Sequence, residues 1–364
     1  MVIDKSFEKE PSLMVWLEFV VKNHASDFHI GDGVCPSMRL DGDLVYLSEI
    51  PFSGEYIVKL LKETLTDERF KLFEREKEMD YSFGIPGIGR FRVNLFFQRS
   101  SIGAAIRALP FVPRSFEEIG FPERVAENLV SRPSGLILVT GPTGSGKTTT
   151  LASMIDHINA QSSCHIVTIE DPIEFLFKNK KAKVSQREVG SDTHSFNQAL
   201  KHVLRQDPDV ILIGEMRDLE TIEIALTVAE TGHLVFATLH TPDAVQSINR
   251  IIDVFPAHQQ QQVRVQLSFV LQAIISQQLL PRKGGGLALA PEILLATPAI
   301  RTLIRESKTH QIYSSVQMGQ KEGMKTLNMS LVDLVKTGKV TKEEAIARTL
   351  DILEFERLLG TKEK

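Results

Sequence analysis

Gly141-Pro-Thr-Gly-Ser-Gly-Lys-Thr148 is the stretch of sequence that decides the fold. It fits the pattern G-x-x-x-x-G-K-[ST], in which glycines allow backbone N–H groups to point at phosphate oxygens. The apolar run Leu136–Thr140 before it predicts a buried parallel strand, and Lys147–Asn159 after it predicts a helix. The N-terminus of that helix adds a partial positive charge beside the loop. Because strand, loop and helix agree with the motif, we predict that the chain binds a nucleoside triphosphate.

The side chains of the loop have separate expected tasks. Lys147 is expected to reach the β- and γ-phosphates, and the hydroxyl of Thr148 is expected to bind Mg²⁺. The predicted cofactors are therefore ATP and Mg²⁺. The residues predicted to contact the nucleotide are Gly141, Pro142, Thr143, Gly144, Ser145, Gly146, Lys147, Thr148 and Thr149.

Length and composition indicate a globular protein with more than one domain. A chain of 364 residues is longer than a single hydrophobic core usually accommodates. Its composition, with 42% hydrophobic and 24% charged residues, is ordinary for a globular protein. The net charge of −4 argues against a broad surface for nucleic acid. Cys35 and Cys164 are far apart and are typical of reduced thiols in a cytosolic protein.

The sequence carries no pattern that predicts a membrane span. The N-terminus has no basic segment followed by an apolar segment, as a signal peptide would have. No stretch approaches the ~18 apolar residues that a spanning helix needs. We therefore expect no direct membrane span, and any association with a membrane is expected to go through a partner protein.

The first third of the chain is predicted to be a domain of its own. Residues 1–109 have the pattern of a small mixed domain, in which Arg90–Gln98 alternates apolar and polar residues as a half-buried strand does. A linker is predicted over 110–119. Pro110 and Pro113 support it, because proline disfavours helix both at itself and at the residue before it.

The remainder of the chain alternates strand-like and helix-like patterns. This alternation predicts a parallel sheet with helical crossovers over residues 120–290. A helical region is predicted over residues 291–364. At the end of the predicted core, Ala257–Leu280 is predicted to be one long amphipathic helix.

Four apolar runs of the predicted core end beside polar residues that suit phosphate chemistry. The first run ends at Thr140 and opens the Gly-rich loop. The other three are followed by Glu170, Glu215 and His240. In an open α/β sheet the ligand lies beyond the carboxyl ends of the strands. These three side chains and Lys147 are therefore expected to face one crevice.

Two carboxylates are candidates for the chemistry of hydrolysis. Glu215 is the first candidate to orient or deprotonate the attacking water, because it follows its strand as a Walker B carboxylate does. Glu170 is the second candidate, either as the base or as a Mg²⁺ ligand through a bound water. An alternative for Glu215 is a residue stabilised by a helix dipole, since a helix is predicted to begin near Asp218.

Histidines and arginines supply further candidates. His240 is expected to hydrogen-bond the γ-phosphate. The alternative is that His240 is a polar residue whose hydrogen bonds are satisfied at the end of its strand. His233 precedes the same strand and is a weaker candidate. Arg205 precedes the strand of Glu215 and is expected to sit close to the chemistry.

Arg92 and Arg107 are candidates of a different kind. P-loop enzymes often need an arginine for the charge of the transition state. Arg92 lies on the polar face of its predicted strand, and Arg107 lies on the next strand. Both are outside the predicted P-loop domain, so they could reach a nucleotide only across a domain or subunit boundary. The alternative is that both are solvated surface residues.

Four sequence boxes together resemble those of the retraction ATPases of type IV pili, within the secretion-ATPase superfamily. The resemblance runs from about Ser26 to Asn328. The family calls the boxes Walker A, Asp box, Walker B and His box. In this sequence they are Gly141–Thr149, Thr168–Glu174, Ile213–Asp218 and Thr231–Thr241.

The resemblance implies an α/β fold in two parts. These are a PAS-like N-terminal α+β domain and a RecA-like P-loop core with C-terminal helices. It also implies a homo-hexameric ring whose sites form between neighbouring subunits. Arg92 and Arg107 match the positions of the N-domain arginines that complete those sites in the family.

The resemblance also implies a cellular task. The family's motor turns ATP hydrolysis into rotation of an inner-membrane pilus platform protein, and pilin returns to the membrane, as twitching motility requires. The chain is therefore expected in the cytoplasm, peripheral at the inner membrane.

Ala299–Glu306 is similar to a signature of retraction ATPases, with Thr302 where asparagine is usual. The assembly and type II secretion relatives typically carry four zinc-binding cysteines, whereas this chain has two.

Three alternatives stay open beside this reading. An accessory retraction paralogue would share the same boxes, and such a paralogue is also an expected partner. A nucleotide-dependent switch would bind ATP and scarcely hydrolyse it, which a complete Walker B glutamate and His box disfavour. A nucleic-acid translocase is disfavoured by the net charge and by the lack of a stretch that interleaves aromatic and basic residues.

Overall fold

The computed structural model describes residues 10–40, 42–109 and 113–360. Contacts divide the chain into two units. The first unit is Met1–Val112 with Pro172–Leu176, and the second is Pro113–Asp171 with Phe177–Lys364. Pro110 of the predicted linker lies outside the described residues. Among the residues that are described, no helix is both long and apolar enough to cross a lipid bilayer.

The first unit is an antiparallel sheet with three helices. The helices are α1 (Leu13–Lys22), α2 (Gly54–Lys62) and α3 (Asp67–Glu76). The strands are β1 (Asp27–Gly31), β2 (Val34–Leu40), β3 (Asp43–Tyr46), β4 (Glu78–Ile85), β5 (Gly89–Gln98) and β6 (Ser101–Leu109). Their order is β3-β2-β1-β6-β5-β4, and each neighbouring pair is antiparallel. Without the edge strand β3 this is the order of a PAS-like sheet, as predicted.

Alternating side chains give this sheet one buried face. Phe91, Val93 and Leu95 on β5 are fully buried, whereas Arg92 and Asn94 between them are exposed. Successive residues of a strand point to opposite faces of the sheet. The apolar set therefore joins the core formed with the three helices, and the arginine stays on the polar face.

The second unit contains a seven-stranded sheet and the remaining helices. Its strands are β7 (Gly135–Thr140), β8 (His165–Glu170), β9 (Lys183–Glu188), β10 (Val210–Ile213), β11 (Leu234–Leu239), β12 (Leu271–Pro281) and β13 (Leu287–Leu295). Its α-helices are α4 (Phe116–Ile119), α5 (Glu123–Val130), α6 (Lys147–Gln161), α7 (Phe196–Val203), α8 (Leu219–Glu230), α9 (Ala244–Asp253), α10 (Ala257–Val270), α11 (Pro298–Arg305), α12 (Ile312–Met318), α13 (Leu327–Lys336), α14 (Lys342–Ile346) and α15 (Ile352–Leu359). Short 3₁₀ turns lie at Leu204–Gln206, Thr309–Gln311 and Gly319–Glu322.

The sheet of the second unit has the order β13-β12-β7-β11-β10-β8-β9. All neighbouring pairs are parallel except β12 with β13. Strands β7, β10 and β11 are buried at every residue, because helices cover both faces of a parallel sheet. The predicted α/β fold with a RecA-like P-loop core is confirmed.

The prediction of one helix over Ala257–Leu280 is wrong in its second half. The helix α10 ends at Val270, and Leu271 begins strand β12, which pairs with β7 on one side and β13 on the other. A buried helix and a central strand both give continuous apolar runs, and no glycine or proline marks this junction. Strand β13 also continues to Leu295, so the part of the chain after residue 290 does not begin with a helix.

Candidate nucleotide-binding site

The Gly-rich loop follows β7, which lies inside the sheet between β12 and β11. Gly141 has φ 136°, and a Cβ added there would lie 2.5 Å from the carbonyl oxygen of Gln277 and 2.7 Å from Ser145 Oγ. Gly144 and Gly146 have φ values of 78° and 86°. These backbone conformations favour glycine, so the motif spacing is required by the local path of the chain.

The loop leads into the N-terminus of α6. Gly146 caps this helix in a left-handed conformation, with no side-chain hydrogen bond to the first turn. Lys147 Nζ donates to the carbonyl oxygens of Gly141 at 2.9 Å and Pro142 at 3.1 Å, which folds the lysine over the loop. Ser145 Oγ is buried and has no hydrogen-bond partner among the described residues. A helix N-terminus with a lysine and an unsatisfied hydroxyl fits a phosphate group.

The order of the strands arranges the other candidates in a series along the carboxyl edge. His240 follows β11, Glu215 lies two residues after β10, and Glu170 ends β8. With strands about 4.8 Å apart, these positions lie about 5, 10 and 14 Å from the P-loop strand across the sheet. The structure therefore brings Lys147 and all three residues to one edge, with Glu215 nearer to the loop strand than Glu170 is.

Glu215 is held between two basic side chains. Its carboxylate lies 2.7 Å from the Arg217 guanidinium and 3.2 Å from His240 Nε2. Burial acts to raise the pKa of Glu215, but the hydrogen bond from Arg217 and the charges of His240 and Arg217 outweigh it and hold the pKa below its ordinary value. Glu215 is therefore ionised at neutral pH, as a residue that orients or deprotonates water must be.

Glu170 lies in a more enclosed setting. It is buried, and its Oε1 accepts hydrogen bonds from Thr168 Oγ1 at 2.6 Å and from Gln186 Nε2 at 3.1 Å. Two donors on one oxygen fix the direction of the carboxylate. This position suits an outer ligand to a cation better than it suits a base that moves during turnover.

A close contact between strands sets the spacing of the two glutamates. Gly214 N donates to Ile169 O at 2.8 Å, and a Cβ on Gly214 would lie 3.2 Å from that oxygen and 3.3 Å from Glu170 Cα. A side chain at 214 would push β10 and β8 apart. Gly214 thus allows Glu215 to leave its strand directly beside Glu170.

The structure does not bring His233 or Arg205 to this edge. His233 precedes β11, and its carbonyl accepts from Gly135 N at the start of β7, about 20 Å along the strands from the loop. Arg205 is exposed in a 3₁₀ turn that precedes β10. A parallel sheet separates the residues before a strand from those after it by the full strand length. Both residues therefore lie at the opposite end of their strands from the P-loop of their own chain, and their roles stay predictions.

Arg92 and Arg107 are direct cross-strand neighbours on β5 and β6 of the first unit. Arg107 Nε donates to Asp27 Oδ1 at 2.8 Å, and Asp27 is the neighbour of Arg107 on β1. Burial acts to raise the pKa of Asp27, but the hydrogen bonds from Ser26 and Arg107 hold it below its ordinary value. Two like charges opposite each other repel, so the carboxylate of Asp27 helps to keep both arginines side by side.

Two residues of the site are not singled out by their motif positions. Arg217 has no role in the boxes as predicted, yet it is the partner of Glu215. Its position two residues after Glu215 was a signal, because alternate residues of an extended segment point the same way. Gln277 on β12 donates from Nε2 to Thr150 Oγ1 at 2.7 Å and packs its carbonyl against Gly141. No sequence pattern indicates that contact, because it joins segments far apart in the chain.

Comparisons with known proteins agree with this geometry. The model of a family described as Type II/IV secretion system protein matches residues 10–285. The chain is 50% identical to the type IV pilus retraction ATPase PilT of Pseudomonas aeruginosa over 329 residues, which are 90% of this chain and 95% of that protein. It is 47% identical to the twitching motility protein of Neisseria gonorrhoeae over 314 residues, which are 86% of this chain and 84% of that protein.

A solved structure gives the same result. The crystal structure of the pilus retraction motor PilT with bound ADP matches with a TM-score of 0.89 and 50% sequence identity, covering 96% of this chain and 100% of that one. The resemblance predicted from the four sequence boxes is confirmed. The chain belongs to the type II/IV secretion system protein family, among its PilT-like ATPases.

Proposed function

We propose that the chain is a hexameric, Mg²⁺-dependent ATPase motor that powers retraction of a type IV pilus and thereby twitching motility. The observation that carries the proposal is the ionised Glu215 beside His240, at the same sheet edge as the P-loop and its lysine. Similarity to PilT over most of the chain supports the pilus assignment.

The loop residues hold the triphosphate in this proposal. Backbone N–H groups of residues 141–148, other than Pro142, which has none, and the ammonium of Lys147 bind phosphate oxygens. Thr148 is half-buried in the first turn of α6, and its hydroxyl would hold Mg²⁺, with Glu170 as a ligand through water. When bound, Mg²⁺ neutralises charge on the phosphate oxygens.

Glu215 orients the attacking water and accepts its proton. The carboxylate is available in its ionised form because Arg217 holds the pKa down. The same ion pair lowers its strength as a base, so we propose that Arg217 moves away from Glu215 when the site closes. His240 contacts both Glu215 and the γ-phosphate, and it reports loss of that phosphate to the chain that follows β11.

Neighbouring subunits complete the site in the proposal. Arg92 and Arg107 of one copy would reach the nucleotide of the next copy and stabilise the charge that develops in hydrolysis. This role needs the two guanidinium groups side by side, and the contact between Arg107 and Asp27 supports that arrangement. His233 and Arg205 lie at the opposite edge of the sheet, so the proposal gives them no role in their own subunit's site.

Each region of the chain has its own role in the proposed motor, and the motor acts with partner proteins. The region 1–109 supplies the arginines, 110–119 is the linker, 120–290 binds and hydrolyses ATP, and 291–364 supports the core. The ring acts in the cytoplasm at the inner membrane, on the pilus platform protein, and a paralogous retraction ATPase is a further partner.

The test is the steady-state Mg-ATPase rate per subunit against protein concentration. We expect the specific rate to rise with concentration and then level off as rings form, and to vanish in Glu215→Gln. Expression in cells that lack their own retraction ATPase is expected to restore twitching motility. Hydrolysis without restored motility would favour an accessory paralogue, and nucleotide binding without hydrolysis would favour a switch.

A further inference from the structure

The second unit contains a cavity that the proposed ATPase chemistry does not use. It has a volume of about 400 Å³, within the range of small-molecule sites. Its walls come from the start of α9, from β13, from α12 and α13, and from the segment before α15. Apolar side chains such as Ile312, Val316 and Leu327 form much of this wall.

Glu292 is a buried carboxylate in the lining of this cavity. It is 7% exposed, and one carboxylate oxygen accepts from Ala244 N at 2.8 Å. Among the described residues the carboxylate has no other hydrogen-bond partner and no basic partner. An ionised carboxylate buried in this way is costly unless a cation or further donors reach it. Burial accordingly raises the pKa of Glu292 to about 7, with the Ala244 N–H acting against that rise and the charge of Asp243 adding to it.

Glu354, the other buried carboxylate in this region, is already satisfied. It accepts hydrogen bonds from Tyr313 Oη, Asn328 Nδ2 and Gln317 Nε2. The carboxylate of Glu354 therefore has its hydrogen-bond partners within the chain and does not require a ligand. The contrast singles out Glu292, which lines the cavity, as the group toward which a ligand would be drawn.

The charge of the lining selects the kind of ligand. Asp243 and Asp351 line the cavity together with Glu292, and no lysine, arginine or histidine lines it within the described part of the chain. Such a lining repels phosphates, so the cavity is not an extension of the nucleotide site. We propose that it binds a small organic cation, an ammonium or amidinium group on an apolar body, with the cation on Glu292.

The test measures binding of three probes of equal length to the full chain by calorimetry. These are n-hexylammonium, the neutral n-hexanol and the anionic n-hexanoate. We expect n-hexylammonium to bind at least about tenfold more tightly than n-hexanol, because only the cation pairs with Glu292. We expect Glu292→Gln to remove that preference and Glu322→Gln, an exposed residue outside the cavity, to retain it.

Two further results decide the matter. Binding of n-hexylammonium should tighten as pH rises through about 7, where Glu292 ionises in the field of Asp243, Asp351, Tyr313 and Glu354, and Glu292→Gln should lose this dependence. Val316→Phe, which narrows the cavity and leaves Glu292 in place, should weaken the binding of all three probes. Equal affinity for n-hexanol, no binding by the wild type, or an unchanged preference in Glu292→Gln would each overturn the proposal.

Discussion

The carboxylate of Glu215 lies 2.7 Å from the guanidinium of Arg217, two positions further along the chain. The Arg217 side chain is 76% exposed and that of Glu215 only 20% exposed. Ion pairs that reach the surface in this way contribute little to stability. The contact matters because it favours the ionised form and fixes the direction of Glu215, the candidate carboxylate nearer to the P-loop strand.

Glu215→Gln should separate nucleotide binding from hydrolysis. The amide keeps the size of the side chain and cannot accept a proton, so we expect the ATPase rate to fall by about 10²-fold or more. Affinity for ADP should stay unchanged, because the P-loop is intact. Glu223→Gln, an exposed position on α8, is the matched control. Turnover near the wild-type rate in Glu215→Gln would move the base to Glu170.

Arg217→Gln should change the pH dependence of the reaction. Arg217 holds the pKa of Glu215 below its ordinary value of 4.5, so its removal raises that pKa. Glu215 is active when ionised, and the acid limb of the profile of kcat/KM should therefore move to higher pH. Arg124→Gln on α5 serves as the control. An acid limb in the same place for both variants would show that Arg217 does not set the ionisation of Glu215.

Gly141→Ala and Gly144→Ala should destabilise the chain to different degrees. At Gly144, with φ 78° and no atom within 4 Å of an added Cβ, only the backbone strain counts, about 1–2 kcal/mol. At Gly141 the added Cβ also meets Gln277 O at 2.5 Å. We expect the loss there to reach about 2–5 kcal/mol. Urea unfolding of the nucleotide-free variants measures both, and equal losses would contradict the steric argument.

Mixed rings should reveal whether sites are shared between subunits. Arg107→Ala is expected to lower the ATPase rate by about 10³-fold if its guanidinium acts on a neighbour's nucleotide. A mixture of Arg107→Ala with Glu215→Gln should then regain activity, because some sites combine an intact glutamate with an intact arginine. A mixture of Lys147→Ala with Glu215→Gln should stay inactive, since both defects belong to the same half of the site. Recovery in neither mixture would contradict a role of Arg107 in a neighbour's site.

Glu292 should make stability depend on pH in a predictable direction. Its folded-state pKa of about 7 lies above its ordinary value of 4.5, so the folded chain binds more protons between those values. The free energy of unfolding should therefore fall across this window as pH rises, relative to Glu292→Gln. Above pH 7 the difference between the two proteins should become constant. Chemical denaturation at several pH values measures it, and a constant difference throughout would contradict the burial of this group.

Residues that follow apolar runs were the easiest to predict. Glu170, Glu215 and His240 lie at one edge because parallel strands all end on the same side, and that rule needs no knowledge of the sheet order. By the same rule, His233 and Arg205 lie at the opposite edge of the sheet, since both precede their strands. Closeness along the chain to a site strand therefore does not place a residue at the site edge, because the direction of the strand decides the end at which the residue lies.

Features that depend on distant segments could not be predicted. Leu271–Leu280 resembles a buried helix in composition, and only its place between β7 and β13 makes it a strand. The cavity at Glu292 is built from segments spread over more than a hundred residues, from Pro242 to Asp351. The contact of Gln277 with Gly141 likewise arises only when β12 lies beside β7. Tertiary pairing decides each of these, and local periodicity does not record it.

Strand β7 is hydrogen-bonded along its length to β11 on one side and to β12 on the other. Amides held in such a ladder exchange with solvent deuterium only when the whole unit opens, whereas loop amides exchange through small local openings. Some of the slowest-exchanging amides of the molecule, those of β7, are thus followed directly by some of its fastest, those of the P-loop. We expect nucleotide binding to slow deuterium exchange over residues 141–146 and to leave the exchange of β7 amides unchanged. The strand therefore serves as an internal reference for exchange in the loop.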